Sequence, residues 1–125
     1  MASGGVLLVE DDELLANLVL RLLGHLNRPI FCAATAAAAL ELIKQHRSSI
    51  SLGVIDCQLP DMHGGELCVA LRSQAPGLAL LLTSGRDQRA ILESLAASGP
   101  TVFLAKPYLP GEVVRRVTAL LTTSA

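Results

Sequence analysis

The stretch that decides the fold is Val54 to Gly65, VIDCQLPDMHGG. An apolar run of strand length ends at one carboxylate, Asp56, and then enters a loop holding Pro60, Gly64 and Gly65. A charge at the edge of a core is costly unless it is solvated, paired or bound to a metal, so Asp56 calls for an explanation. The residues around it supply one.

Four further apolar runs share the length and the lack of alternation of LGVI (52–55): VLLV (6–9), IFCAA (30–34), LALLLT (78–83) and TVFLA (101–105). Between them lie helical patterns, with Leu14, Leu15, Leu18, Leu22 and Leu26 in one and Ala36, Leu40, Ile43 and Lys44 in the next. Strands that do not alternate are buried on both faces, as in a parallel sheet covered by helices on either side. The helix starts are marked by Asp12, Thr35, Gly64 with Gly65, and Pro110. The chain therefore reads as one α/β domain over residues 1–125, a doubly wound, five-stranded parallel sheet flanked by five helices.

Length and composition agree. A chain of 125 residues buries about two-thirds of the surface that its unfolded form exposes. It is 51% hydrophobic and 17% charged, with three aromatic residues in all. The formal net charge of −1 and the lack of any Lys/Arg run argue against direct nucleic-acid binding. No apolar stretch approaches the roughly 20 residues of a membrane span, and MASGG lacks the features of a signal peptide, so the chain is expected to be cytoplasmic. Cys32, Cys57 and Cys68 match no metal spacing and are expected to be free thiols, with Cys57 a small buried residue.

In open α/β sheets, ligands gather beyond the carboxyl ends of the strands, where the strand order reverses. Glu10, Asp11 and Asp12 follow the first strand, Asp56 the third, Thr83 and Ser84 the fourth, and Lys106 and Pro107 the fifth. The order 2-1-3-4-5 would bring these groups to one edge. Clustered carboxylates repel one another, and a divalent cation such as Mg²⁺ relieves this, being held by one or two carboxylates together with phosphate oxygens. A hydroxyl and an ammonium then suit the remaining oxygens of a phosphoryl group. Asp56 in such a setting can act as a nucleophile on phosphorus and carry an aspartyl-phosphate.

Taken together and in this order, LLVEDDELL, VIDCQLPDMHGG, LLLTSG and VFLAKPY resemble the receiver domain of two-component response regulators, a flavodoxin-like family that includes the CheY-like proteins. The intervals are 45 residues from Asp11 to Asp56, 27 to Thr83 and 23 to Lys106. The resemblance implies that Asp56 is the phosphoacceptor and that Thr83 and Lys106 contact the phosphoryl group. It also implies that Mg²⁺ is held by Asp11, Asp56 and the Gln58 carbonyl, with Glu10 as the other member of the acidic pair. The residues EDD can be registered in two ways; placing Val9 at the strand end favours Glu10 and Asp11 and leaves Asp12 to cap the helix. Pro107 matches the proline that follows the lysine through a cis bond in this family. Phe103 matches the aromatic whose rotamer reports activation, and it also reads as a plain core residue.

The expected partners are a histidine kinase or histidine phosphotransfer protein and a downstream effector, in cis or in trans, with a phosphorylation-dependent dimer as one form of output. The parent protein could be a hybrid histidine kinase or a multidomain regulator. The domain would catalyse only its own phosphorylation and dephosphorylation, without multiple turnover on external substrates. Two alternatives stand beside this reading. A phosphatase of the haloacid dehalogenase type would want a second Asp where Gln58 stands, and a pseudo-receiver used only for binding usually lacks one of the five site residues. His63 is expected to be a solvated turn residue, Arg115 and Arg116 exposed, and His25, His46, Met1 and Met62 structural.

Overall fold

The computed structural model describes residues 4–123. Met1 therefore lies outside the described residues. Strands β1 (Gly5–Val9), β2 (Ile30–Ala33), β3 (Ile50–Asp56), β4 (Ala79–Ser84) and β5 (Thr101–Ala105) form one parallel sheet in the order β2-β1-β3-β4-β5. They alternate with α1 (Glu13–Leu23), α2 (Ala36–His46), α3 (Gly64–Gln74), α4 (Arg89–Ala96) and α5 (Pro110–Thr123). The order reverses at β1, between β2 and β3, so the carboxyl ends of β1 and β3 flank the crevice of a flavodoxin-like fold.

Side-chain alternation splits the core into two layers. Val6, Leu8, Leu52, Val54, Ala79 and Leu81 pack with Val19 and Leu23 of α1 and Val113 and Val117 of α5. Leu7, Val9, Ile55, Leu80 and Leu82 face the other way, toward Ala39 and Ile43 of α2, Leu67 and Leu71 of α3 and Leu95 of α4. Burial on both faces holds for β1, β3 and β4, whereas β2 and β5 are the sheet edges and are only partly covered. That departs from the expectation of five equally buried strands, since an edge strand has a neighbour on one side alone.

The helix stripes also need correcting. In α1 the fully buried positions are Val19 and Leu23, with Leu15 packed beside them, while Leu14 and Leu18 are 73% and 42% exposed. A helix in which six of the eleven residues are leucine has more than one apolar stripe, and the sheet selects among them. In α2 the buried set is Ala36, Ala39 and Ile43, and Lys44 is exposed. The caps fall as expected at Asp12, whose side chain accepts from the Leu15 N–H, and at Thr35, which accepts from the Ala38 N–H. Gly64 and Gly65 open α3 from within the helix instead of preceding it, and its cap is His63, whose Nδ1 accepts from the Gly65 N–H at 2.9 Å. His63 is thus exposed, as expected of a turn residue, but is also tied into the chain.

Among the histidines and methionines read as structural, His46 stacks on Phe31 with ring centroids 4.6 Å apart, and Met62 packs against the core. His25 is exposed in a 3-10 turn at Gly24–Leu26. Arg115 and Arg116 are exposed. Cys57 and Cys68 are buried, Cys32 is exposed, and all three are free thiols.

Candidate functional site

Parallel pairing puts the strand ends in register. Asp56, the last residue of β3, is the direct partner of Thr83 on β4, and Ser84 is the partner of Ala105, immediately before Lys106. Backbone bonds extend the sheet beyond these ends: the Cys57 N–H donates to the Thr83 carbonyl and the Lys106 N–H to the Ser84 carbonyl, each at 2.8 Å. Gly64 closes the loop after β3. Its N–H donates to the Cys57 carbonyl, and a Cβ there would lie 2.5 Å from Cys57 Cα and 2.6 Å from the Asp56 carbonyl, so only glycine admits this approach.

Glu10, Asp11 and Asp56 each offer a carboxylate oxygen, and these oxygens all lie within 4.8 Å of one another. Such a set fits a hard divalent cation, which takes oxygen ligands and offsets the mutual repulsion of the acids. Asp56 is 2% exposed and Glu10 6%, while Asp11 reaches solvent. Lys106 Nζ donates to Asp56 Oδ1 at 3.1 Å and sits 3.9 Å from Glu10. The Gln58 N–H also donates to Asp56 Oδ1, at 3.0 Å, so that oxygen is held by two donors. The Lys106–Pro107 bond is cis.

Burial pushes the Glu10 carboxyl up to about 7; the Asp12 N–H on its oxygen and the Lys106 charge work against this, and the Asp56 charge adds to it. Burial likewise pushes the Cys57 thiol up to about 11, with the Asp56 charge adding to it, which keeps that thiol protonated and inert beside the site.

The structure brings together Glu10, Asp11, Asp56, Thr83 and Lys106, with Gln58 two residues past Asp56 at the mouth. Phe103 is not at that site: it is half-buried against the α2–α4 layer of the core, which Ile91 and Leu95 of α4 also join. Three residues near the site were not anticipated. Asp61 bonds from the β3–α3 loop to the start of α2, accepting from the Ala36 and Ala37 N–H groups at 2.9 and 3.1 Å. Tyr108 packs against the α1/α5 layer; burial, with the Glu10 charge adding to it and the Thr83 hydroxyl opposing it, pushes its phenol up to about 12. Gln88 turns its amide inward to Ser84. A carboxylate after Pro60 in a tight loop was the one sequence signal that could have flagged Asp61.

The comparison with known proteins turns on a family model described as the response regulator receiver domain, which matches residues 6–118. This chain belongs to the response regulator receiver family. Among its relatives, the probable transcriptional regulatory protein TcrX of Mycobacterium tuberculosis is 34% identical over 118 residues, covering 93% of this chain and 49% of that protein. The regulatory protein VanR of Enterococcus faecium is 32% identical, covering 95% of this chain and 50% of VanR. The sensor kinase CckA of Brucella abortus is 29% identical, and there the match takes up 13% of the longer protein. The chain thus spans about half the length of the two regulators. Among solved structures, a Francisella response regulator receiver domain superposes with a TM-score of 0.83 at 24% identity, covering 98% of this chain and all of that one. The receiver fold, two-component class and strand order expected from the sequence are thereby established, and among the described residues no helix is long and apolar enough to cross a membrane.

Proposed function

We propose that this receiver, residues 1–125 as one module, accepts a phosphoryl group on Asp56 from a phosphohistidine of a histidine kinase or phosphotransfer protein. The observation that carries the reading is Asp56 itself, a carboxylate 2% exposed at the carboxyl end of a central strand, 3.1 Å from Lys106 Nζ and grouped with Glu10 and Asp11. An Asp56 oxygen attacks phosphorus, the P–O bond forms as the P–N bond breaks, and the imidazole leaves. Mg²⁺, held by Asp11, Asp56 and the Gln58 carbonyl with Glu10 behind them, would neutralise phosphoryl oxygens as charge shifts between donor and acceptor.

The chain's own groups do the positioning. Lys106 holds Asp56 Oδ1 before transfer and takes a phosphoryl oxygen after it, as a point charge. Thr83, in register with Asp56, turns its hydroxyl to another oxygen and away from Tyr108. Water attack on phosphorus returns the free carboxylate, so the cycle regenerates the receiver without turnover on outside substrates.

The output is a population shift in the surface formed by α4, β5 and α5, with Phe103 following Thr83 inward. A shift from 1:99 to 99:1 needs roughly 5.5 kcal/mol of differential stabilisation. The effector that reads this surface is in cis or in trans, in a regulator such as TcrX or a sensor kinase such as CckA, or through a receiver dimer. Incubation with acetyl phosphate and Mg²⁺ should add one phosphoryl group by intact-mass measurement, and Asp56→Asn should add none. Equal labelling of Asp56→Asn would refute the assignment.

A further inference from the structure

Thr83 and Ser84 end β4 side by side, and alternation sends them to opposite faces of the sheet. Thr83 faces the carboxylate site. Ser84 faces the α4 side and is completely buried. Its hydroxyl oxygen has two lone pairs, yet three donors converge on it: Gln58 Nε2 at 2.8 Å, the Arg86 N–H at 3.0 Å and Gln88 Nε2 at 3.4 Å. The Arg86 bond is local backbone and fixed by the turn. Gln58 and Gln88 are therefore rivals, and at 3.4 Å Gln88 holds the weaker, over-long bond.

The two rivals belong to different parts of the molecule. Gln58 lies on the phosphoacceptor loop, is exposed, and its N–H already bonds Asp56 Oδ1. Gln88 is the N-cap residue of α4, yet its side chain makes no cap bond to that helix; it is 9% exposed and turned inward to Ser84. Among the described residues, this bond to Ser84 is the one side-chain hydrogen bond that Gln88 makes, and it holds the start of α4 to β4.

We propose that the Ser84 hydroxyl is a divided contact through which the phosphoacceptor loop sets the position of α4, with Ser84 and Gln88 as positioning residues. The inference rests on the reading of Asp56 as phosphoacceptor. A phosphoryl group on Asp56 presents new anionic acceptors close to the Gln58 amide. Once that amide turns to them, Ser84 is left to Gln88, the 3.4 Å bond shortens, and the first turn of α4 is drawn toward β4. The same Gln58 movement releases its Oε1 from the Gly85 N–H, 3.5 Å away, so the β4–α4 turn is free to follow.

The test is an amide chemical-shift comparison of the full chain with Mg²⁺, with and without beryllofluoride as the phosphoryl mimic. Gln58→Ala keeps the backbone carbonyl and removes one rival, so without the mimic it should move the Arg89–Ala96 amides along the direction that beryllofluoride drives in the unmodified protein. Gln88→Met removes the other rival and should cut the beryllofluoride response of α4 to less than about half, while Cys57 and Gly85 respond as before. Ser84→Ala should repeat the Gln88→Met result, and Gln58→Ala with Gln88→Met together should show no displacement. A displacement in Gln58→Ala that disappears when Gln88→Met is added is not expected of residues that only add stability. An α4 response unchanged in Gln88→Met and Ser84→Ala, or no movement in Gln58→Ala, overturns the divided contact while leaving the phosphoacceptor intact. Failure of the unmodified protein to respond to beryllofluoride at Cys57 and Gly85 overturns both.

Discussion

At the scale of the residue, Asp61 shows how one carboxylate ties two elements. Its oxygens accept from the Ala36 and Ala37 N–H groups, two of the unpaired donors at the start of α2, where the helix dipole also favours a negative charge. These two bonds, Ala36 first and then Ala37, hold its carboxyl below the ordinary value of 3.8. A lowered pKa in the folded state means that the contribution is complete above the ordinary value and is lost as pH falls from there through the folded value. Asp61→Asn should therefore unfold more easily than the parent at neutral pH, with the gap closing as the solution is acidified below 3.8. Thermal unfolding followed over that range decides it, since a gap independent of pH would mean that the charge of Asp61 does nothing. The sequence shows Asp56, Thr83 and Lys106 because each sits where a strand ends. It hides Asp61 because its partners lie 25 and 24 residues away and only the folded loop brings them together.

At the scale of the element, the far end of α4 is fixed by Arg72, a residue of α3 that is 7% exposed. Its guanidinium donates to the carbonyls of Leu78 at 2.9 Å and Pro100 at 2.6 Å and to that of Leu95, and to the hydroxyls of Ser98 and Thr101. The rigid fork of donors thus joins the end of α3, the approach to β4, the end of α4 and the start of β5. A Cβ on Gly99 would come 3.0 Å from Cζ of this group, so the loop is fitted around it. Arg72→Met keeps the stem but leaves the buried Leu78 carbonyl without its donor and weakens the hold on those of Leu95 and Pro100, which keep the Ser98 and Leu80 N–H groups, a cost of about 2 kcal/mol read as a lower urea midpoint, and Arg72→Lys should recover only part. A loss below about 0.5 kcal/mol would place Arg72 among surface residues. Helix periodicity could not reveal this, because an arginine at a polar helical position reads as solvent-facing. The same ambiguity misassigned Leu14 and Leu18 in α1, where leucines line more than one face and the packed sheet makes the choice.

At the scale of the whole molecule, the fold holds like charges together in its resting state. The order β2-β1-β3-β4-β5 sets Glu10 and Asp11 beside Asp56, and among the described residues Lys106 is the one cation that faces Glu10 and Asp56 at short range. This part of the fold was readable from the sequence, because unalternated strands force the parallel sheet and the sheet then dictates which strand ends meet. A ligand that binds only the folded state stabilises it by RT ln(1 + [L]/Kd), about 2.7 kcal/mol at a hundredfold excess over Kd. Mg²⁺ should therefore raise the thermal midpoint in a concentration-dependent way. Asp11→Asn separates repulsion from coordination: without metal it removes a like charge near Asp56 and should stabilise by a few tenths to about 1 kcal/mol, discounted for the exposure of Asp11. With saturating Mg²⁺ the order should invert, the parent gaining more than the variant because Asp11 then serves as a ligand. Calorimetry of both proteins in chelator and in Mg²⁺ gives four midpoints, and a variant that gains as much from Mg²⁺ as the parent does would remove Asp11 from the metal site.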